Sequence, residues 1–459
     1  MPHLLSAPTT VNLELTEICN VKCDHCYNYW RDESMGEISL DGERLERVID
    51  NLAKAGVFHV ILSGGEPMAK FPLLLQAVER LNSHGMSLSV NSNVMLLTPE
   101  RASQLVERGV DHILTSLPSL DPATNDRIMN KVGAFEKIVT GITNAVDAGI
   151  RISVNMVITK KNYQDVYKTA KFVANLGAQR IFITRSVPPI YTETVSDDEY
   201  DMTPEEVRSA LDSAIQARDE FGIMIGTLVS YPLCFLSDLE KYKDFVGRGC
   251  PAQRGDRMSI NANGAVHACV HEEDGYGNIL ENDIRDIYQN SMRKWHGGNL
   301  HYDGCEGCEY IDVCESGCRM NALGREGAMN LKDPLYQGPT HFKRHFKFDQ
   351  NDDSITLIEE NQAFTVPSRL RFRKENDFYL VNIRWGNSIT LDNETTEFLI
   401  AHQESGEAFT LNDLGETKAK ILRNLYFKDV IETKDSQPTD SNKAFLGLSL
   451  NPDALKTGT

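Results

Sequence analysis

Residues 11–26, VNLELTEICNVKCDHC, set the starting point for the fold, because a short apolar run leads directly into three closely spaced cysteines. Val11–Leu15 has the length and composition of a β-strand. Similar runs follow at Val57–Leu62, Ser87–Val90, His112–Thr115, Arg151–Val157 and Arg180–Thr184. Helix-like stretches lie near residues 40–55, 72–84, 98–108, 133–148, 163–176 and 203–221. Six strand–helix units in strict alternation predict an α/β fold whose parallel sheet curls into a partial (β/α)6 TIM-like barrel.

Polar and glycine-rich residues follow the predicted strands at the points where the strands end. In a barrel of parallel strands the active site lies at the carboxyl ends of the strands, so these residues are expected on one rim. They are Cys19, Ser63-Gly64-Gly65-Glu66-Pro67, Asn91–Asn93, Ser116 and Arg185. This rim is the predicted functional site.

Charge and composition exclude several classes of function. The 459 residues, 41% apolar and 25% charged, suffice for two or three folded units. A net charge of −19 argues against broad binding to nucleic acid, which needs a basic face. The N-terminus has no basic region, and no stretch approaches the roughly 18 apolar residues of a membrane span. We expect a cytoplasmic protein with no membrane or nucleic-acid partner.

Nine of the ten cysteines fall in two groups, at 19–26 and 250–318. In a reducing cytosol such clustering predicts metal binding rather than disulfides. Cys19, Cys23 and Cys26 on one loop can supply three thiolates to a [4Fe-4S] cluster and leave the fourth iron open. Zinc needs a fourth ligand, and His25 is adjacent to Cys26, which makes joint ligation strained. A zinc site and unrelated cysteines stay open as alternatives at this point.

The C-x3-C-x2-C spacing after the first strand, with Gly-Gly-Glu-Pro after the second, resembles the radical S-adenosylmethionine (SAM) superfamily. In that family SAM chelates the open iron, and an electron from the cluster cleaves SAM to a 5′-deoxyadenosyl radical. The resemblance assigns Cys19, Cys23 and Cys26 to the cluster. It also predicts a cofactor-binding set composed of His25, Gly64, Gly65, Glu66, Pro67, Asn93, Ser116, Asn155 and Arg185.

Two positions depart from the family pattern. His25 stands where relatives usually have an aromatic residue against the adenine, and Pro118 stands where they often have Asp. The predicted contacts also have simpler explanations, because a glycine pair is often only a tight turn and the polar residues can serve backbone groups. No spacing singles out a catalytic acid or base.

The later cysteines resemble the SPASM extension of radical SAM enzymes, with Cys250-x13-Gly264-x4-Cys269 followed by Cys305-x2-Cys308-x5-Cys314-x3-Cys318. In that family seven cysteines ligate two further [4Fe-4S] clusters. The resemblance assigns Cys250, Cys269 and Cys318 to the first auxiliary cluster, and Cys305, Cys308 and Cys314 to the second. A zinc ribbon formed by the last four cysteines is the alternative. An Asn-Gly pair between Met258–Ile260 and Ala265–Ala268 predicts a hairpin.

The seventh SPASM cysteine is missing. Relatives commonly end the motif with Asp-Pro-x-Cys, whereas this chain has Asp333-Pro334-Leu335-Tyr336. Cys234 is left over, and some relatives place a fourth ligand of the first auxiliary cluster in this region, which we expect for Cys234. An ordinary buried thiol is the alternative. The second auxiliary cluster would then have an open iron, or Asp333, Tyr336 or a substrate thiolate as its ligand.

Residues 366–433 are predicted to form a small winged-helix-like α+β domain, with helices beginning near Asp392 and Thr410. The pattern resembles the PqqD-like modules that bind leader segments of ribosomally made peptides. Residues 369–432 hold nine Lys and Arg against eleven Asp and Glu, which is poor for DNA binding. Peptide capture by strand addition needs no basic face. A domain that only caps the SPASM region is the alternative.

The predicted organisation is a radical SAM core at 1–225, a SPASM domain at 226–335, a linker at 336–365, the winged-helix-like domain at 366–433 and a disordered tail at 434–459. The resemblance implies an oxidoreductase with three [4Fe-4S] clusters and SAM, supplied with electrons by a flavodoxin or ferredoxin-type protein. It would abstract a hydrogen atom from a precursor peptide and form an intramolecular C–S or C–C bond, with an auxiliary cluster as electron acceptor. Formylglycine formation, as in anaerobic sulfatase maturases, and a non-enzymatic electron-transfer protein are the alternatives. Neither the peptide nor the oligomeric state can be named.

Overall fold

The computed structural model describes residues 5–28, 38–188, 202–236, 238–246, 249–296, 299–339, 362–384, 387–411, 414–427 and 430–434. The chain divides into two compact units, Met1–Phe346 and Lys347–Thr459. The predicted boundary near residue 225 lies inside the first unit. Most of the predicted linker and the tail from 435 onward lie outside the described residues. The finer domain boundaries therefore stay predictions.

A nine-stranded sheet forms the first unit, in the order β7-β6-β5-β4-β3-β2-β1-β8-β9. All neighbours in it are parallel except the antiparallel pair β8 and β9. The strands are β1 (Thr10–Glu14), β2 (His59–Ser63), β3 (Ser87–Asn91), β4 (His112–Ser116), β5 (Arg151–Ile158), β6 (Arg180–Arg185), β7 (Met224–Gly226), β8 (Arg257–Ile260) and β9 (Val266–His267). The six predicted strands are confirmed, and the parallel sheet matches the predicted partial barrel.

Helices connect the parallel strands, as the alternating pattern predicts. They are α1 (Gly42–Ala55), α2 (Phe71–Ser83), α3 (Pro99–Glu107), α4 (Pro122–Ile128), α5 (Ala134–Asp147), α6 (Val166–Asn175) and α7 (Pro204–Phe221). α7 begins with the expected signals, because Thr203 and Glu206 form a reciprocal capping box and Pro204 takes the first position. α4, a seven-residue helix capped by Asp121, was not predicted.

The cysteine-rich segment joins the main sheet directly. β8 pairs in parallel with β1, in the register Thr10↔Arg257 to Leu13↔Ile260. The predicted hairpin is confirmed, since β9 returns antiparallel to β8 after a turn containing Gly264. Three short helices follow it: α8 (Ile284–Asp286), α9 (Ile311–Cys314) and α10 (Arg319–Glu326). Because β1 leads into Cys19, this pairing brings the cysteine-rich segment beside the first cysteine loop.

Within its described residues, the second unit has two small antiparallel sheets and two helices. One sheet has the order β14-β10-β15 and the other β11-β12-β13. The elements are β10 (Ala363–Thr365), β11 (Arg371–Lys374), β12 (Tyr379–Arg384), β13 (Asn387–Leu391), α11 (Asn393–Ser405), β14 (Phe409–Thr410), α12 (Glu416–Phe427) and β15 (Glu432–Thr433). They enclose an apolar core that includes Phe364, Val381, Leu399, Phe409 and Leu422.

The helix predicted near Asp392 is confirmed, because Asp392 caps α11 through the Thr395 N–H. The helix predicted near Thr410 begins later, at Glu416, because Phe409 and Thr410 pair with β10. No helix in the described part of the chain combines the length and hydropathy that crossing a membrane requires.

Candidate active site

The first cysteine loop leaves β1 and runs against the glycine pair that follows β2. The Gly65 N–H donates to the Thr16 carbonyl at 2.7 Å, and the Glu66 N–H donates to the Ile18 carbonyl at 2.8 Å. A Cβ on Gly65 would lie 2.4 Å from the Ile18 oxygen, and a Cβ on Gly64, whose φ is +129°, would lie 2.3 Å from the Thr16 oxygen. Only glycine allows this approach of the two backbones, so the pair has a structural role beside its predicted contact with SAM.

Glu66 is fully buried, and both of its carboxylate oxygens accept hydrogen bonds from the protein. Oε1 accepts from the Met68 N–H at 2.9 Å and the Ser92 hydroxyl at 2.7 Å, and Oε2 accepts from the Asn93 N–H at 2.8 Å. Burial raises the pKa of Glu66, and these hydrogen bonds oppose that rise. Glu66 thus joins the end of β2 to the end of β3.

Asn93 extends this connection to the cysteine loop. Its Nδ2 donates to the Asn20 side-chain oxygen at 2.6 Å, and its own side-chain oxygen accepts from the Met95 N–H at 3.1 Å. Sequence reasoning missed Asn20, which lies beside Cys19. Asn20 could have been singled out from the sequence, because it lies between Cys19 and Cys23.

The other side of the loop is held by the chain after β4 and β5. The Asp24 N–H donates to the Ile128 carbonyl at 2.9 Å, and its carboxylate lies 3.4 Å from the Lys161 ammonium. The Cys23 sulfur lies 3.5 Å from the Met129 sulfur. His25 is half-buried on the same loop. The loop is therefore fixed from several elements, which suits a site that needs three thiols in constant positions.

The remaining predicted SAM contacts lie at the end of β4, within β5 and at the end of β6. Ser116 and Asn155 are paired neighbours in the sheet, and the Asn155 side-chain oxygen accepts from the Thr184 hydroxyl at 2.6 Å. Arg185 is buried, and both of its terminal nitrogens donate to the buried Asp333 carboxylate, with Nη1 to Oδ1 at 2.7 Å. Arg185 has a protein partner at these atoms, and its contact with SAM stays a prediction.

Cys250, Cys269 and Cys318 lie close enough for their charges to raise the pKa values of Cys250 and Cys269 after burial, and their assignment to one cluster stays a prediction. Tyr27, which directly follows Cys26, connects the first cysteine loop to this group. Its half-buried ring packs against the ring of His271, with 5.1 Å between the two centroids, and burial, the Glu14 carboxylate and the Cys26 and Cys269 thiolates raise the pKa of its hydroxyl. Sequence reasoning missed Tyr27, although it directly follows the third cysteine. The group formed by Cys250, Cys269 and Cys318 is thus the one next to the predicted SAM site.

A second group of thiols lines one cavity with about 390 Å³ of empty space, part of it open to solvent. Cys305, Cys308 and Cys314 contribute to its wall, and their assignment to one auxiliary cluster stays a prediction. Cys234 lines the same cavity, although we expected it beside Cys250, Cys269 and Cys318. Its position in space differs from that expectation because its neighbours are set by the turn at Leu233–Leu236, which packs against Cys314.

A left-handed turn separates the two thiol groups. Cys314 and Cys318 belong to different groups, and Glu315, Ser316 and Gly317 between them have φ values of +52°, +59° and +78°. A Cβ on Gly317 would lie 2.6 Å from an Asp333 oxygen, so this position requires glycine. Asp333 also accepts from the Cys318 N–H at 2.8 Å and therefore holds the turn in place.

Burial is the main cause of the raised pKa values of these thiols. It raises the pKa of Cys250 and of Cys314 to about 12, and it raises the pKa of Cys269 well above the ordinary value. All ten cysteines are free thiols. Within the described residues, no three His, Cys, Asp or Glu side chains converge on a point as a single-ion site requires. Such thiols ionise when a metal centre binds them.

The comparisons with known proteins agree with this geometry. Residues 13–173 match the radical SAM superfamily, over the stretch that holds the cysteine loop and the Gly-Gly-Glu-Pro turn. Residues 13–173 therefore form a radical SAM domain, and the chain is an enzyme. The superfamily uses a [4Fe-4S] cluster and SAM. The three thiols of one fixed loop fit the cluster, and the rim at the strand ends fits SAM.

Two curated relatives match most of the length of this chain. The AdoMet-dependent heme synthase of Methanosarcina barkeri is 27% identical over 350 residues, covering 73% of this chain and 97% of that protein. The PqqA peptide cyclase of Rhizobium meliloti is 27% identical over 344 residues, covering 73% of this chain and 88% of that protein. The crystal structure of Streptococcus suis SuiB bound to S-adenosylmethionine shares the fold, with a TM-score of 0.59 at 17% identity over 73% of this chain and 78% of that one.

Proposed function

We propose that this radical SAM enzyme modifies a ribosomally synthesised precursor peptide by forming an intramolecular C–S or C–C bond, with an auxiliary cluster as electron acceptor. The observation that carries the proposal is the proximity of the first cysteine loop to the group formed by Cys250, Cys269 and Cys318. Tyr27 directly follows Cys26, and its ring packs against His271, which lies two residues after Cys269. An acceptor at that place would receive the electron that a substrate radical releases when the new bond forms.

The bound cluster and SAM supply the 5′-deoxyadenosyl radical that removes a hydrogen atom from the substrate. The chain supplies the positioning. Thr16, Ile18 and the glycine pair hold the cysteine loop, and Asn93, Ser116 and Asn155 lie in, or directly after, neighbouring strands of the same sheet. In this proposal they orient SAM, and a flavodoxin or ferredoxin-type protein delivers the electron that starts each turnover.

The second unit is proposed to capture the leader segment of the precursor. Among the described residues, β11 and β13 each have one paired side in their sheet. β11 carries Arg371, Arg373 and Lys374, and charged side chains on an edge strand discourage pairing. β13, Asn387–Leu391, carries no charged residue. We assign β13 as the edge to which an extended leader adds as a strand.

The heme synthase relative represents a different substrate class. The alignment spans 97% of that protein but only 73% of this chain, so this chain has a substantial length with no counterpart there. In this proposal the additional residues form a unit that binds the leader. Binding the leader tethers the peptide and raises the local concentration of its reacting residue at the active site. The PqqA peptide cyclase relative supports the peptide class.

The test begins with a short open reading frame beside the gene that encodes a candidate precursor. The reconstituted enzyme, SAM, reductant and the peptide are incubated without oxygen, and 5′-deoxyadenosine and the peptide mass are measured. We expect 5′-deoxyadenosine together with a peptide that has lost two hydrogen atoms and resists linear fragmentation across the bridge. The Cys19→Ala/Cys23→Ala/Cys26→Ala chain is the control and should give neither product.

A hydrazide probe distinguishes the formylglycine alternative. Formylglycine is an aldehyde and reacts with the probe, whereas a C–S or C–C bridge does not. Labelling of the product would replace the proposal with sulfatase-maturase-like chemistry. Intact clusters with no cleavage of SAM in the presence of any tested peptide would contradict the peptide class.

Two variants test whether the leader binds to β13. Thr390→Glu places a charge on β13, and Lys374→Glu places one on β11. We expect Thr390→Glu to weaken precursor binding roughly tenfold, about 1.4 kcal/mol, and Lys374→Glu to leave it within about twofold. Fluorescence anisotropy of a labelled precursor measures both. The reverse ranking would move the leader to β11.

A further inference from the structure

Cys234 is the cysteine that the family pattern does not explain. Along the chain it precedes Cys305, Cys308 and Cys314 by 71 positions or more. All four thiols nevertheless line the same cavity. The cavity wall thus holds four thiols, the number that a fully cysteine-ligated [4Fe-4S] cluster uses.

The backbone near Cys234 is arranged around the sulfur atoms of this cavity. The Leu233 N–H donates to the Cys314 sulfur at 3.4 Å, and the Gln337 N–H donates to the Cys234 sulfur at 3.4 Å. Leu233, Phe235 and Leu236 on the same short turn are buried and anchor it. N–H groups aimed at sulfur are typical of cluster-binding loops, where they tune the ligated thiolates.

The other candidates for the fourth ligand have different partners. Asp333 binds Arg185 with both oxygens, and these oxygens also accept from the Cys318 and Leu335 N–H groups. The Tyr336 hydroxyl donates to the Gly304 carbonyl at 2.6 Å. Tyr336 lines the cavity, but its oxygen is occupied by the chain itself.

We propose that Cys234 is the fourth thiolate of the second auxiliary cluster, with Cys305, Cys308 and Cys314, in place of the seventh cysteine that the chain lacks. The first auxiliary group, Cys250, Cys269 and Cys318, then has three cysteines and contains the iron without a cysteine ligand. The open position therefore lies in the group next to Tyr27 and the SAM site. This inference rests on the auxiliary clusters of the proposed function.

The experiment uses two full-length parent chains. One parent replaces Cys250, Cys269 and Cys318 by Ala and keeps the second group. The other replaces Cys305, Cys308 and Cys314 by Ala and keeps the first group. Cys234→Ala, Cys234→Ser and Tyr336→Phe are introduced separately into each parent. After anaerobic reconstitution, iron per chain and the electron paramagnetic resonance (EPR) spectrum of the reduced protein are measured without SAM or peptide.

Each parent is expected to hold about eight irons, two clusters of four. In the parent that keeps the second group, Cys234→Ala should remove about four irons or replace the auxiliary signal by that of a damaged cluster. In the other parent, Cys234→Ala should change neither iron content nor spectrum. Tyr336→Phe should be silent in both. Gel filtration and circular dichroism of each variant show whether it has folded, and Cys234→Ser repeats the test with a smaller change in shape.

Other results would overturn the inference. If Cys234→Ala alters only the parent that keeps the first group, Cys234 ligates the first auxiliary cluster. If it alters neither parent, the thiol is structural. If Tyr336→Phe alone changes the spectrum, tyrosine is the fourth ligand. If the parent that keeps the second group holds only about four irons, the second auxiliary cluster is absent and the inference fails with it. If that parent holds about eight irons and one of the three results above is found, only the ligand assignment fails.

Discussion

The first cysteine loop and the cysteine-rich segment gather their thiols in different ways. Cys19, Cys23 and Cys26 lie within eight consecutive residues, and backbone contacts to neighbouring strand ends fix them. The cysteine-rich segment draws its thiols from positions 234–318 and holds them through long-range contacts such as Arg185 with Asp333. Ligands that lie close together in the sequence can be recognised from their spacing. Ligands that are far apart in the sequence can be grouped only once the folded structure is known.

The largest effect is expected from removing the local set. Cys19→Ala/Cys23→Ala/Cys26→Ala should abolish formation of 5′-deoxyadenosine and lower the iron content by about four per chain. The auxiliary EPR signals should persist, because their thiols come from other elements. Iron analysis, EPR and chromatography of the nucleoside measure this. A loss of more than one cluster would show that the two regions do not assemble independently.

A smaller effect, on stability, is expected in the dispersed region. Asp333→Asn leaves the buried Arg185 without its carboxylate, and breaking a buried ion pair costs about 3–5 kcal/mol. The apparent thermal midpoint of the reconstituted protein should fall accordingly. The auxiliary EPR signals should broaden, because the NH₂ group that replaces one carboxylate oxygen cannot accept from Arg185 or from the Cys318 and Leu335 N–H groups. Glu326→Gln, which removes the exposed partner of Lys332 at 3.8 Å, is the control and should change little. Equal midpoints for the two variants would contradict the structural role of Asp333.

Gly65→Ala tests how tightly the local loop is held. Its Cβ would lie 2.4 Å from the Ile18 oxygen, so the loop has to shift, at a cost of about 1–3 kcal/mol. SAM cleavage should fall, and the iron lost should come from the SAM cluster. Gly275→Ala is the matched control, because its Cβ would meet no atom closer than 3.8 Å. Unchanged SAM cleavage in Gly65→Ala would show that the loop tolerates displacement.

The smallest effect is expected from Ser92→Ala. It removes one of the three hydrogen bonds to the Glu66 carboxylate and leaves the Met68 and Asn93 N–H groups in place, at a cost of about 1 kcal/mol. The apparent thermal midpoint without SAM should fall slightly, while iron content stays the same. A marked loss of iron would mean that this buried hydroxyl, and not the backbone, fixes the cysteine loop.

Much of the fold could be predicted from the sequence because its signals are local. The six strands, the helices between them and the capped start of α7 follow from short apolar runs and capping residues. The pairing of β1 with β8 could not be predicted, because it joins residues about 247 positions apart. Nothing in the sequence of either strand indicates which other strand it pairs with. The later start of α12 has the same cause, since Phe409 and Thr410 pair with β10 instead of continuing into a helix.

The candidate site shows the same limit. The spacing of Cys19, Cys23 and Cys26 predicted a single site, and the structure places them on one fixed loop. Cys234 was expected with the first auxiliary group, but it lines the cavity of the second. Arg185 was expected to contact SAM, and its strongest partner is Asp333, 148 positions away. Such partners depend on how the loops pack, and spacing along the chain does not record that packing.

The left-handed turn Glu315-Ser316-Gly317 has a consequence for how the metal centres are assembled. Left-handed conformation costs about 1–2 kcal/mol at each non-glycine residue, so the free chain resists this turn. The turn fixes the spacing between Cys314, which belongs to one centre, and Cys318, which belongs to the other. When a cluster binds at either centre, it fixes one end of the turn. The conformational entropy that the chain must lose to bind the second cluster is then smaller. The two auxiliary centres should therefore load cooperatively, so that half-filled protein stays scarce when iron is limiting.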